Sequence, residues 1–197
     1  MDISTLFREE CTMIKIGIII GSTRPGRNGA AIGKWVYKIA KQRKDSVYEI
    51  VDLIDYPLPL LDEPNPAAFG EYTKPHTKAW SEKIQQFDGY IFIAPEYNHS
   101  ISGALKNAID YLYREWNNKA AGIVGYGAAG GASAVESLRM ILAELQIADV
   151  RNQVRISLHS DFIDYKIFNP APYQEKAVKA MLDQVVKWST ALKTLRK

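Results

Sequence analysis

The run Ile14, Lys15, Ile16, Gly17, Ile18, Ile19, Ile20, followed at once by Gly21-Ser22-Thr23-Arg24-Pro25-Gly26-Arg27-Asn28-Gly29, narrows the folds open to this chain more than any other stretch. An apolar run of that length, broken only by one lysine, reads as a strand covered on both faces, the position of a central strand in a parallel sheet. Beyond the Gly-rich stretch, Ile32, Trp35, Val36 and Ile39 recur at helical spacing. A strand, a tight turn and a helix start make an anion site, because backbone N–H groups and the positive end of the helix dipole converge there. The expected guest is a phosphate group. Ser22 and Thr23 offer hydroxyls, Arg24 and Arg27 offer forked, permanently charged donors, and Asn28 either caps the helix or joins the cradle.

Spacing separates the candidate phosphate ligands. Gly21 and Gly26 stand where the two glycines of a GxxxxGK[ST] loop would, but Arg27-Asn28 replaces the lysine and the Mg-binding hydroxyl, which removes the metal ligand of an NTPase. Gly21, Gly26 and Gly29 do not spell GxGxxG, and Asp52, the acid ending the second strand, lies too far on for the ribose acid of a dinucleotide fold. A flavodoxin-like site for a mononucleotide such as FMN remains. So does the plainer alternative of a strand-to-helix turn that binds nothing.

The remainder of the chain extends the same alternation. Residues 47–53 read as a second strand, and residues 53–72, with Pro57, Pro59, Pro64 and Pro66, as an extended surface connection. A helix carrying Trp80, Ile84 and Phe87, opened by Thr73 or Thr77, ends at Asp88-Gly89. A third strand at 90–94 runs into Pro95-Glu96-Tyr97-Asn98-His99-Ser100, and a helix follows with Leu105, Ala108, Ile109 and Leu112 on one stripe and Ser102 as its cap. A fourth strand at 120–126 leads into a second Gly-rich turn, Gly125-Tyr126-Gly127-Ala128-Ala129-Gly130-Gly131. A helix through Val135, Leu138, Leu142 and Leu145, a fifth strand at 150–158 and a closing helix from Ala177 to Leu192 complete five βα units. The expected architecture is an α/β doubly wound sheet of five parallel strands in the order 2-1-3-4-5, with helices on both faces. In that order strands 1 and 3 flank the switch point, where a ligand crevice opens beyond their carboxyl ends.

Composition sets the outer limits. The 197 residues, 47% hydrophobic and 24% charged, suit a single domain over 13–197, with residues 1–12 as an N-terminal extension. The net charge of +3 is spread along helices, so nucleic acid is not needed to explain it, while a mildly positive field favours anionic cofactors. One cysteine, Cys11, allows no internal disulfide, which fits a cytoplasmic protein, and His76, His99 and His159 are too dispersed for a metal site. Residues 1–12 lack the apolar core of a signal peptide, and no run is long enough to span a membrane.

With these residues in hand, the chain after Lys15 resembles the NADPH-dependent FMN reductase family of flavodoxin-like proteins, which includes quinone, azo-dye and chromate reductases. The resemblance rests on Gly-Ser-Thr-Arg-x-Gly-Arg at 21–27, Pro-Glu-Tyr-Asn-His-Ser at 95–100 with Gly-Ala-Leu-Lys-Asn-Ala-Ile-Asp at 103–110, and Gly-Gly at 130–131. It implies an FMN phosphate on Ser22, Thr23, Arg24, Arg27, Asn28 and Gly29, a flavin ring beside Pro95, Glu96, Tyr97 and Asn98, and the turn of Gly125, Tyr126, Gly127 and Ala128 close to that ring. It also implies a homodimer, and the aromatics Tyr111, Tyr113 and Trp116 suggest an association surface.

Chemistry supports these roles independently. Reduced flavin gathers negative charge at its pyrimidine edge, so the site should aim N–H donors there, and a Gly-rich turn permits close approach. Glu96, a carboxylate that would oppose reduction, is expected to point away or to pair with a cation. The cofactor carries the redox chemistry, taking hydride from NADPH or NADH and passing electrons to a small-molecule acceptor, so no catalytic side chain is required. A non-enzymatic FMN electron carrier or redox-sensing flavoprotein is the alternative from a different class. Neither the acceptor nor the preference between NADPH and NADH is legible in the sequence.

Overall fold

A computed structural model describes residues 13–196; the expected extension over residues 1–12 lies outside them. The sheet is built from β1 (Ile14–Ile20), β2 (Ser46–Asp52), β3 (Gly89–Pro95), β4 (Lys119–Gly127), β5 (Ile147–Asp149) and β6 (Val154–Ser157). All its pairings are parallel, in the order β2-β1-β3-β4-β5, with β6 also on β4. Register aligns Ile18 with Ile50 on one side and Ile91 on the other, and Ile91 with Gly122. The crossovers are α1 (Gly29–Ala40), α2 (Pro75–Gln85), α3 (Gly103–Asp110) and α4 (Ala132–Glu144), and α5 (Pro172–Lys193) closes the fold.

Alternation along the strands divides the core into two layers. Ile16, Ile18 and Ile20 of β1 point to one face, where Ile32 and Val36 of α1 and Met181 and Val185 of α5 cover them. Ile19 points to the other, beneath Trp80 of α2, Leu105 of α3 and Leu138 of α4. Tyr111 and Trp116 belong to this second layer, 0% and 1% exposed, which corrects the reading of these aromatics as an association surface. They are dense because they fill the space under α2 and α3; the indole N–H groups of Trp80 and Trp116 donate to Ala108 O at 2.7 Å and Ile109 O at 3.2 Å. At the opposite end of the sheet from the predicted crevice, buried Lys119 donates to Tyr90 Oη at 2.8 Å and to Ile84 O, near the end of α2, at 3.3 Å. Burial, helped by the charge of Arg196, lowers its amine to about 7.

The fifth strand differs from expectation. In place of one strand over 150–158, β5 pairs with Lys119, Ala120 and Ala121, Val150 N–H still donates to Ala121 O at 2.8 Å, β6 pairs with residues 124–127 of β4, and residues 151–153 leave the sheet between them. The polar run Arg151-Asn152-Gln153 explains the break. Asn152 N–H donates to Gln184 Oε1 at 2.9 Å and its side chain to Ala180 O at 3.3 Å, both on α5, while Arg139 holds the Val150 carbonyl at 3.1 Å. The helix α2 opens at Pro75, in the first-turn position proline favours, instead of at either threonine. Residues 53–72 contain two single 3₁₀ turns, Leu53–Asp55 and Ala67–Phe69, and Tyr111 Oη ties the segment down through Pro59 O at 3.1 Å and Asp62 at 3.0 Å. A small antiparallel hairpin, β7 (Phe162–Ile163) with β8 (Ile167–Phe168), had no counterpart in the sequence reading.

Candidate functional site

The loop after β1 starts from the sheet itself: Gly21 N–H donates to Ile93 O of β3 at 3.0 Å, so the chain leaves at the switch point between these strands. Buried Ser102, the N-cap of α3 as expected, accepts from Leu105 N–H at 3.1 Å and donates its hydroxyl to Gly21 O. The turn closes with Arg27 N–H on Arg24 O at 3.2 Å and Gly26 at φ 68. The amides of Ser22, Thr23, Arg24 and Gly26 have no protein acceptor among the described residues, which is the arrangement an anion requires.

The two arginines do different things. Arg27 donates to Ser22 O and to Asp52 Oδ2, both at 2.5 Å, so its guanidinium braces the loop against the end of β2. Asp52, noticed in the sequence only as an acid too distant for a ribose, is its partner. Arg24 is exposed, has no carboxylate partner among the described residues, and lies 5.9 Å from the centre of the Tyr97 ring. Thr23 is exposed. Asn28 occupies the N-cap position of α1 without a side-chain bond to the helix; its amide reaches Tyr165 O at the tip of the β7–β8 hairpin, at 3.1 Å.

The second loop begins at buried Pro95 and forms a tight turn: Tyr97 N–H donates to Ser100 O at 2.9 Å and Ser100 N–H returns to Tyr97 O at 3.1 Å. Its two central residues, Asn98 at φ 50 and His99 at φ 62, adopt the left-handed conformation of a type I′ turn, which asparagine and histidine tolerate better than most residues. The Glu96 side chain, expected to point away or to pair with a cation, engages the start of a helix and has no cation partner among the described residues. Its carboxylate accepts from Ser133 N–H at 3.0 Å and Ala134 N–H at 3.4 Å, capping α4 at its positive end. His99 bonds the Ser133 hydroxyl at 3.1 Å, and the Asn98 amide has no protein partner among the described residues.

The third loop follows β4. Gly130 N–H returns to Gly127 O at 3.1 Å, and Gly131, at φ 68, passes so close to the strand that an added Cβ would lie 2.3 Å from Tyr126 N. Only glycine fits there. The amides of Ala128 and Ala129, both exposed, have no protein acceptor among the described residues.

Three contacts bind these loops into one rim. Ser22 and Tyr97 share a hydroxyl hydrogen bond of 3.0 Å, Glu96 N–H donates to Tyr126 O at 2.9 Å, and the Tyr126 side chain runs beneath α1 until its hydroxyl would meet a Cβ on Gly29 at 2.6 Å. That hydroxyl is buried and makes no hydrogen bond, in a residue 6% exposed. Burial pushes its pKa up to about 12, with the nearby Ser22 hydroxyl working against the rise, so it stays protonated and able to donate at neutral pH. A buried orphan donor costs about 1–3 kcal/mol until an acceptor arrives. With the free amides around it, a phosphate oxygen is the acceptor that fits, and the residues present therefore suit the phosphate end of FMN. The sequence named Tyr126 for its turn; that its ring reaches Gly29, at the end of the loop after β1, could not be seen in spacing. An apolar cleft of about 280 Å³ opens beside Thr23, between Leu53, Tyr56 and Leu58 on one side and Ala104 and Ala108 of α3 on the other.

A parallel sheet of this order, with an anion loop after its first strand and two turns meeting it from β3 and β4, defines a flavodoxin-like protein built for a phosphorylated cofactor. The model of the NADPH-dependent FMN reductase family matches residues 14–161. An NAD(P)H-dependent FMN reductase of Schizosaccharomyces pombe is 39% identical over 159 residues, covering 80% of each chain, and a quinone reductase of Escherichia coli is 33% identical over 139 residues, covering 67% of this chain and 71% of that one. The flavoenzyme NAD(P)H:(acceptor) oxidoreductase FerB of Paracoccus denitrificans superposes with a TM-score of 0.72 at 22% identity, over 91% of this chain and 98% of that one. The chain belongs to the NADPH-dependent FMN reductase family, and is an NAD(P)H-dependent flavin oxidoreductase.

Proposed function

We propose that the three braced loops hold FMN, with Ser22, Thr23, Arg24 and the N-terminus of α1 at Asn28 and Gly29 on its phosphate, Pro95 to Asn98 beside its ring, and Gly127 and Ala128 at its pyrimidine edge. The observation that carries this reading is the run of free amides after β1, with the buried, unpartnered Tyr126 hydroxyl against Gly29 at its end. Arg27 shapes the loop and Asp52 offsets its charge, which leaves Arg24 as the mobile cation for the phosphate. When bound, FMN supplies the hydride and electron transfer. The protein supplies position and field: the Ala128 and Ala129 amides favour negative charge at the adjacent edge, and Glu96, engaged by α4, keeps its own charge from opposing it. The acceptor we infer is a small planar molecule, a quinone or a flavin, since Tyr97 gives the rim an exposed aromatic ring and the cleft beside Thr23 is apolar.

We further infer a homodimer acting in the cytoplasm. Leu60, Leu61 and Phe69, 86%, 50% and 56% exposed on the connection after β2, form the apolar surface that association would cover. Among the described residues no helix is long and apolar enough to cross a membrane. The test is to load the purified protein with FMN and add NADPH without oxygen. The yellow absorbance should bleach and return when a quinone is added; colour that persists with both NADPH and NADH refutes the enzyme reading. A monomeric mass by light scattering at micromolar concentration refutes the dimer.

A further inference from the structure

One feature of the fold takes in the third loop of the rim and extends beyond it. Where the fifth strand breaks, the edge of the sheet along β6 is flanked by α5 and leaves a groove. Its upper part, about 520 Å³, is lined by Ala128, Gly130, Arg155, Ser157 and Tyr173, and its lower part, about 410 Å³, by Arg151, Asn152 and Ala180; Gln153 and Ala177 border both, so the two hollows adjoin. The groove thus begins on the back of the turn proposed to face the pyrimidine edge.

Its charge is uncompensated. Arg155 gives one N–H to Ala129 O at 2.7 Å and has no carboxylate partner, and Arg151 has no side-chain partner, among the described residues. Of the acids on the neighbouring elements, Asp149 is paired with Arg139 and Glu175 with Lys179 at 2.6 Å, while buried Asp161, behind Ser157 and Gln174, is held by the Ser157 and Ala171 amides at 2.9 Å and by the Gln174 side chain. Tyr173, 64% exposed, offers a free aromatic face on the wall formed by α5. Two unpaired arginines and an aromatic along an elongated channel match a ligand that is elongated, carries separate anionic groups and ends in a base. The co-substrate of this family has that form.

We propose that the adenosine end of the reduced nicotinamide nucleotide lies in this groove, with Arg155 against its diphosphate, Tyr173 on the adenine and Arg151 against the 2′-phosphate that distinguishes NADPH from NADH. The proposal rests on the reading that this chain reduces a bound flavin with such a nucleotide. Arg155 and Arg151 are four residues apart, at most about 13 Å along extended backbone, a span that side chains of their length bridge easily. The break in the fifth strand is then functional, because it places a second arginine beside the groove instead of within a ladder.

Steady-state kinetics of the FMN-loaded wild type, R151A and R155A with both nucleotides test the assignment, together with calorimetric titration of 2′,5′-ADP and 5′-AMP. R151A should raise KM for NADPH about tenfold and leave KM for NADH unchanged, whereas R155A should raise both, with kcat within twofold of wild type. Wild type should bind 2′,5′-ADP more tightly than 5′-AMP, and R151A should abolish the difference. Equal effects of R151A on both nucleotides, or unchanged KM for NADPH in both variants, overturn the proposal. Should wild type be reduced by neither nucleotide, the enzyme reading falls; the calorimetry still judges the groove, and 2′,5′-ADP bound no more tightly than 5′-AMP rejects it.

Discussion

Replacing Tyr126 with phenylalanine removes one oxygen from beneath Gly29, at the end of the loop after β1, and leaves the ring in the core with Ile20 and α1. In the protein without cofactor that oxygen is buried and unpaired, so its removal relieves a desolvation penalty of about 1–3 kcal/mol. The variant should therefore be about 1 kcal/mol more stable than wild type in urea, allowing for packing lost around the missing atom. With FMN the sign reverses. A hydrogen bond from this hydroxyl to a phosphate dianion is worth about 1.5–3 kcal/mol, so FMN affinity should fall roughly 10- to 100-fold. Riboflavin, which lacks the phosphate, should bind wild type and variant alike. Quenching of flavin fluorescence measures both affinities, and urea denaturation without flavin measures the first effect. Equal weakening of FMN and riboflavin, or a cofactor-free variant less stable than wild type, would refute the reasoning, since either result would make the hydroxyl a packing group and not a waiting donor.

Other expectations follow from neighbouring contacts. Gly29→Ala should cost about 1–3 kcal/mol, because its Cβ would press on the Tyr126 hydroxyl, and the Tyr126→Phe background should recover part of that loss in the same denaturation assay. Arg24→Ala should leave the urea midpoint unchanged while lowering FMN affinity about tenfold, whereas Arg27→Ala should destabilise the protein by about 3 kcal/mol by stranding half-buried Asp52; identical behaviour of the two variants would contradict the division of labour between them. Lys119 sets a pH dependence. Its amine is lowered from 10.5 to about 7 on folding, so between those values the unfolded chain binds the extra proton and stability rises with pH. Urea midpoints should climb from pH 7 to pH 10 and flatten in Lys119→Met; the same slope in both proteins would remove Lys119 as its source.

Much of this structure was legible because long elements advertise themselves. The buried run of β1, the helical stripes of α1 and α3, and Ser102 three residues before Leu105 each follow from local rules, and the strand order is that of the flavodoxin-like pattern that five βα units and a mononucleotide loop after β1 point to. The fifth strand was misread because apolar residues at 150, 154 and 156 continue a strand pattern, while the side chains that divert it, Gln184 and Arg139, lie on other elements. Tyr111 and Trp116 were misplaced for a related reason: an aromatic beyond a helical stripe can fill a core or face a partner, and only the packing of α2 over β3 decides. At the three loops, the contacts between side chains were not legible. Arg27 proved a brace, Asn28 a link to a hairpin, and Tyr126 a residue serving two loops at once, because each depends on a partner 25 to 137 positions away or on a side chain crossing beneath a helix.

The divided fifth strand also bears on how this protein avoids pairing with other chains strand to strand. An exposed strand edge invites another chain to dock by hydrogen bonding, and the hazard grows with the length of uninterrupted backbone on offer. Here that border presents segments of only three and four residues, separated by a polar detour fastened to α5, so no incoming strand finds more than a short foothold. Repairing the detour into one continuous strand would yield a tidier sheet and a stickier molecule.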